Sequence, residues 1–265
     1  MTNIEIRPLG SFQLVNADGF VNPIDTSTKI PMAWLKLVEH VTNFYASNLN
    51  QDLHSVYIRG SIAKGEPVDF ISDMDSFAIT MTENSIDEVV LEEFQRQCES
   101  KFPFCKGIEI MSCCINKTKT VEPKRERSIL EELIKTQSRC VLGTDLSPTI
   151  SPFTLPQMIG HSLYIVDEID KKLPLYLEED KDSKQDIKNL CGWIMRRLIR
   201  ACYDRVMLQE GKFTRDLYLC AERVGFYRPS LKEDLRNALH FALNPSENVE
   251  EWMPLVHKLK CNFEE

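Results

Sequence analysis

Two aspartates one residue apart, Asp73 and Asp75, stand at the mouth of an apolar run, Ser76-Phe77-Ala78-Ile79. Residues two apart in a strand leave the same face, so both carboxylates point the same way. Two carboxylates on one face can share a pair of divalent cations, which activate an attacking oxygen and neutralise a leaving phosphate. Upstream, Val56-Tyr57-Ile58-Arg59 runs into Gly60-Ser61-Ile62-Ala63-Lys64-Gly65. This reads as a strand ending in a turn that opens a helix. Gly60 lets the backbone come close to a ligand, free N–H groups at a helix start attract phosphate, and Ser61 adds a hydroxyl donor.

A third acid sits in Gly107-Ile108-Glu109-Ile110-Met111-Ser112-Cys113-Cys114. The alternation turns Glu109 away from Ile108 and Ile110. An acid in an otherwise apolar strand is costly unless it is paired or binds metal. Asp73, Asp75 and Glu109 are therefore the candidate metal ligands.

These residues need a scaffold. Trp34, Leu37, Val38, Val41, Phe44 and Tyr45 fall at helix spacing between Pro31 and Leu49. Strands are expected at His54–Arg59, Asp75–Thr80 and Gly107–Cys114. A helix capped at Ser85-Ile86-Asp87 should run to about Phe102, and another should cover Arg127–Arg139. From Leu142 to Pro156 the punctuation changes, with Gly143, Pro148, Pro152 and Pro156 suggesting a linker. After it only helices are expected: Leu155–Leu173, Lys184–Gln209, Phe213–Val224, Ser230–Ala242 and Val249–Leu259. The acid-rich stretch 178–182 reads as a connecting turn. The expected class is α+β with a small mixed sheet, in a domain over 1–148, followed by an all-helical domain over 149–265.

The chain has 265 residues, 43% of them apolar, which suits a folded protein of one large or two modest domains. No apolar run is long enough to span a membrane, and no signal peptide is visible at the N-terminus. Nine scattered cysteines without a C-x-x-C pattern fit free thiols in a reducing cytoplasm better than disulfides or zinc. The five histidines form no metal-binding cluster. With 32 basic against 40 acidic residues the net charge is −8, which disfavours a nucleic-acid track. One basic segment, Lys117, Lys119, Lys124, Arg125 and Arg127, reads as a solvated loop that could border the site.

Gly60-Ser61 followed by Asp73-Met74-Asp75 resembles the nucleotidyltransferase superfamily, whose signature is G-S, about a dozen residues, then D-x-D on the next strand. Leu142–Pro148, Leu198–Tyr203 and Gly211–Leu217 are similar to segments of bacterial aminoglycoside adenylyltransferases of the streptomycin/spectinomycin type. That resemblance implies a nucleotidyltransferase domain followed by a helical domain, with ATP and acceptor bound between them. It implies Mg²⁺ as cofactor, two ions in number, ATP as co-substrate, and for Glu109, as the third acid, the part of metal ligand, acceptor of the substrate proton, or both. It implies nucleotide contacts from Gly60, Ser61, Ser72, Arg200 and Arg215. Arg200 can also pair with Asp204 along its helix, and Arg215, a cation near a helix start, opposes the dipole and so should have a task. The resemblance breaks at 116–127, which is basic and lacks the aromatic residue those enzymes place after the third acid. The expected function is transfer of AMP, or another nucleoside monophosphate, to a hydroxyl of a small molecule. The alternatives are a protein AMPylator and a nucleotide-binding regulatory protein without catalysis. The acceptor, the base and the oligomeric state are not given by the sequence.

Overall fold

The computed structural model describes residues 4–177 and 184–263. In chain order the strands are β1 (Gln13–Leu14), β2 (Leu53–Arg59), β3 (Met74–Thr80), β4 (Ile108–Cys114), β5 (Ser138–Gly143) and β6 (Lys212–Phe213). The helices are α1 (Met32–Leu49), α2 (Gly60–Ala63), α3 (Glu88–Lys101), α4 (Ile129–Glu132), α5 (His161–Leu177), α6 (Lys184–Asp204), α7 (Met207–Glu210), α8 (Leu217–Tyr227), α9 (Lys232–Leu243) and α10 (Val249–Lys260). The class is α+β. The stretch 178–182 lies outside the described residues.

The chain divides into two units, one of residues 22–153 and one formed by 1–21 together with 154–265. The expected boundary at 148 lies five residues before this division (153 − 148). The first 21 residues, expected in the α+β domain, group with the helices.

In the α+β unit a four-stranded mixed sheet runs in the order β4-β3-β2-β5. Strands β2 and β3 are antiparallel, as are β2 and β5, whereas β3 and β4 are parallel and joined through α3. Alternation decides which face packs where. Val56, Ile58, Met74, Ala78 and Ile110 join a core with Trp34, Leu37, Val38, Val41 and Tyr45 of α1 and Phe94 and Cys98 of α3. The intervening residues face the other way, where Tyr57 and Phe77 stack with ring centroids 5.2 Å apart. The start of α3 is fixed by Asp87, whose carboxylate accepts from the N–H groups of Val89 and Val90 at 2.9 and 3.3 Å.

The expected helix over Arg127–Arg139 is only partly formed. After α4 the chain makes a single wide π-turn over Leu133–Gln137 and then becomes the edge strand β5. Ser128 caps α4 from the loop, accepting from Leu130 N–H at 3.1 Å and Glu131 N–H at 3.4 Å while donating to the Thr118 carbonyl. Gly143, expected in a linker, is paired with Ser55 in the sheet.

In the second unit α6 packs against α5, α8, α9 and α10. Leu190, Ile194, Met195, Leu198, Ile199 and Cys202 give it a continuous buried stripe. The two-stranded β1–β6 pair fastens the N-terminal segment to this unit. That short strand in the second half was not expected from the sequence. Asn244 clasps Ile4, its side chain donating to the Ile4 carbonyl at 2.8 Å. Among the described residues no helix is long and apolar enough to cross a membrane.

Candidate active site

The candidate residues of the α+β unit gather where β2, β3 and β4 meet the G-S turn. Strand register does the work. Arg59 pairs with Asp75 across the antiparallel β2–β3 ladder, and Asp75 pairs with Glu109 across the parallel β3–β4 ladder. Three neighbouring strands therefore set a cation and two acids in a row on one face, the face turned away from α1 and α3. Arg59 Nη1 lies 3.3 Å from Asp75 Oδ2, and Nη2 donates to Glu109 Oε2 at 2.9 Å. The Asp75 side chain is 15% exposed and that of Glu109 45%. Glu109 thus reaches water, where an incoming substrate can meet it, while Ile110 beside it is buried in the core.

Asp73 lies two residues before Asp75, just ahead of β3, and is exposed. Both carboxylates act on one nearby group, the thiol of Cys105. That thiol is held above its ordinary range first by burial and further by the charges of Asp73 and Asp75. Its Sγ donates to the Gly107 carbonyl at 3.2 Å, below the start of β4.

Gly60 takes φ +72, open to a residue without a Cβ; a Cβ there would lie 3.3 Å from Asp75 Oδ2. The turn and the second aspartate are therefore packed against each other. The helix it opens is a single turn, Gly60–Ala63, rather than a long one. Ser61 Oγ donates to Ser72 Oγ at 2.8 Å, and Ser72 Oγ accepts from the Val68 N–H at 2.9 Å. This pair of hydroxyls ties the G-S turn to the residue preceding Asp73.

Behind the acids, on the core side, Tyr45 of α1 locks β3 to β4. Its hydroxyl lies 3.1 Å from Ser76 Oγ, accepts from Met111 N–H and donates to the Met111 carbonyl. Ser76 Oγ in turn donates to the carbonyl of Glu109 at 2.9 Å. Burial holds the Tyr45 phenol well above its ordinary pKa, so it stays a neutral donor. In the sequence Tyr45 is one of the helix-spaced apolar residues and Arg59 only the end of an apolar run. Their functions depend on cross-strand register, though a charge closing the apolar run Val56-Tyr57-Ile58 was the available signal for Arg59.

Among the described residues no group of three or more His, Cys, Asp or Glu is gathered closely enough to hold a metal. The side-chain atoms of Asp73, Asp75 and Glu109 are all carboxylate oxygens, the ligand type Mg²⁺ prefers, and the Arg59 guanidinium spans two of the three groups.

The basic segment is more divided than its composition suggests. Arg125 is buried and pairs with the buried Glu132, and Arg127 lies over the Phe153 ring with its guanidinium 4.2 Å from the centroid. Lys117, Lys119 and Lys124 are exposed, with Lys117 paired to Glu83.

Arg200 and Arg215 belong to the helical unit. Arg200 Nε donates to the Arg215 carbonyl at 3.1 Å. Arg215 Nη1 donates to Asp204 Oδ1 and its Nη2 to the Met158 carbonyl, both at 2.8 Å. Asp204, fully buried, also accepts from the N–H groups of Gly160 and Ser162 at 3.0 Å each. Arg215, expected to have a task because it opposes a helix dipole, here balances a buried carboxylate that gathers three chain segments.

No family model matches the sequence, and no curated protein matches it. Among solved structures, the spectinomycin adenyltransferase of Enterococcus faecialis, determined with ATP and spectinomycin, is similar with a TM-score of 0.52 at 13% identity, covering 87% of this chain and 99% of that one. At this identity the likeness is one of fold: the chain has the nucleotidyltransferase fold, with a helical part. Slighter likenesses extend to a toxin-antitoxin structure with AMP-PNP, with a TM-score of 0.29, 14% identity and coverage of 52% of this chain and 94% of that one. A tri-AMPylated HEPN toxin of Shewanella oneidensis in complex with MNT antitoxin gives a TM-score of 0.26, 13% identity and coverage of 54% and 96%.

Proposed function

We propose that this protein is a metal-dependent nucleotidyltransferase that moves AMP from ATP to a hydroxyl of a small molecule. The observation that carries the reading is the pairing of Asp75 with Glu109 on adjacent strands, packed against the left-handed Gly60 turn. The acceptor oxygen forms a bond to the α-phosphorus, the bond to pyrophosphate breaks, and Glu109 takes the hydroxyl proton. Gly60 and Ser61, with Ser72 fixing the serine, hold the phosphates. Asp73, Asp75 and Glu109 would hold Mg²⁺, two ions in this reading, which supplies charge neutralisation for the phosphates and acidifies the attacking hydroxyl.

The test is incubation with labelled ATP and other NTPs, Mg²⁺ and a panel of aminoglycosides, hydroxylated metabolites and cell lysate. Label should appear on a small molecule and require metal. Streptomycin and spectinomycin are expected to be poor acceptors, because 116–127 offers no ring for stacking. Labelling of either would correct the acceptor and keep the chemistry. Labelling confined to protein, or no transfer despite tight binding of Mg·ATP, would overturn the proposal.

A further inference from the structure

Arg59 occupies a peculiar place. It is the last residue of β2, immediately before Gly60, and its guanidinium reaches the two carboxylates that the proposed chemistry would give to a metal. The fork is well suited to this: one planar group, two donors, two acids on neighbouring strands. The oxygens concerned are specific, Asp75 Oδ2 at 3.3 Å and Glu109 Oε2 at 2.9 Å. Adjacent parallel strands stand about 4.8 Å apart, so two carboxylates in register repel each other when no cation lies between them. Arg59 relieves that repulsion. A divalent cation binding the same oxygens would relieve it too, and the two cations repel each other.

We infer that Arg59 is a positioning residue whose guanidinium stands in for the metal, holding Asp75 and Glu109 in place until a divalent cation exchanges with it. The inference rests on the metal-dependent reading above. It requires that metal binding be a competition. The free protein gains organised carboxylates and gives up intrinsic metal affinity in return. Once displaced, the guanidinium lies one residue from the turn proposed to hold phosphate.

The test is Mn²⁺ titration without nucleotide, read by the electron paramagnetic resonance of free Mn²⁺, on the wild type, Arg59→Lys and Arg59→Gln. Circular dichroism checks that each variant is folded. Removing one charge about 6 Å from a divalent ion in water corresponds to roughly tenfold in affinity, so Arg59→Gln should bind Mn²⁺ about tenfold more tightly. Lysine keeps the charge but cannot reach both acids as a fork, so Arg59→Lys should fall between the two. The metal-free melting temperature should drop in the same order. A parallel arm measures stabilisation by Mn·ATP against ATP in EDTA. If Mn·ATP stabilises the wild type but Arg59→Gln binds Mn²⁺ no more tightly, the exchange is wrong and the metal-dependent reading stands. If Arg59→Lys equals the wild type while Arg59→Gln binds more tightly, charge alone acts and the bridging role is wrong. If Mn·ATP fails to stabilise the wild type and no variant binds Mn²⁺, both fall together.

Discussion

Glu109 stands half exposed at the head of β4 while its neighbour Ile110 is buried. That asymmetry lets a carboxylate meet substrate without being taken far from water. On the proposed mechanism Glu109→Gln keeps shape and removes the proton acceptor. ATP should bind within a few-fold of wild type, and transfer should fall by roughly a hundredfold or more. Asp73→Asn should instead lose metal-dependent ATP binding and transfer together. Equilibrium binding and single-turnover rates on both variants separate the roles, and intact transfer in Glu109→Gln removes Glu109 from the chemistry. At this scale the candidate acids were legible because their spacing is local: two apart on one strand, or alone in an alternating run. Arg59 was legible only as a letter. Its contacts need Arg59 opposite Asp75 and Asp75 opposite Glu109, and register across strands is not written in any one segment. Arg215 lay between these cases, since its awkward place near a helix start was visible and its partner, Asp204, was not.

The strands that set the row are held by contacts from neighbouring elements. Tyr45 is fully buried on α1 and its hydroxyl serves Ser76 and Met111, directly behind Asp75 and Glu109. Tyr45→Phe leaves the Met111 N–H without this partner, and should cost about 1–3 kcal/mol in urea unfolding. Activity should fall further than stability alone explains if the β3–β4 register aligns the acids; an unchanged midpoint would show the hydroxyl to be dispensable. On the other flank β5 ends at Gly143, with φ +80 and an imagined Cβ only 2.1 Å from the His54 carbonyl oxygen. Gly143→Ala should lower stability by at least the roughly 1–3 kcal/mol of a strained backbone, because the clash with β2 is added to the strain. A thermal midpoint near wild type would argue against this edge strand. The helices α1 and α3 and strands β2, β3 and β4 were readable because each carries a strong apolar period and its own stop signals. Strand β5 was not. It is a short edge with Leu142 38% exposed, its apolar run Cys140-Val141-Leu142 follows a helical turn directly, and its pairing with β2 comes from far upstream.

For the whole molecule, the unit of residues 22–153 is an insertion in a chain whose first and last parts form the other unit. The ends of the insertion meet, since Phe20 bridges Thr154. A fragment cut at the boundary expected from the sequence, 149–265, would lack β1, the partner of β6, and the Ile4 contact with Asn244. It should unfold at lower temperature and less cooperatively than a chain in which 1–21 is joined by a short Gly-Ser linker to 154–265. Equal melting curves would show the N-terminal segment to be a passenger. The proline punctuation after residue 147 was visible, but the return of the N-terminus to the far end of the chain was not. A two-residue strand has too little pattern to announce its partner.

That pairing of β1 with β6 also sets an order of events during synthesis. The ribosome makes Gln13 and Leu14 about two hundred residues before Lys212 and Phe213. At about 5–20 residues per second the early strand waits roughly ten to forty seconds for its partner. The inserted unit has every strand of its sheet well before then and can close its core while the helical unit still lacks a strand. The nascent chain therefore passes through a stage in which Arg59, Asp75 and Glu109 are already in register while β1, upstream of them, has no partner strand.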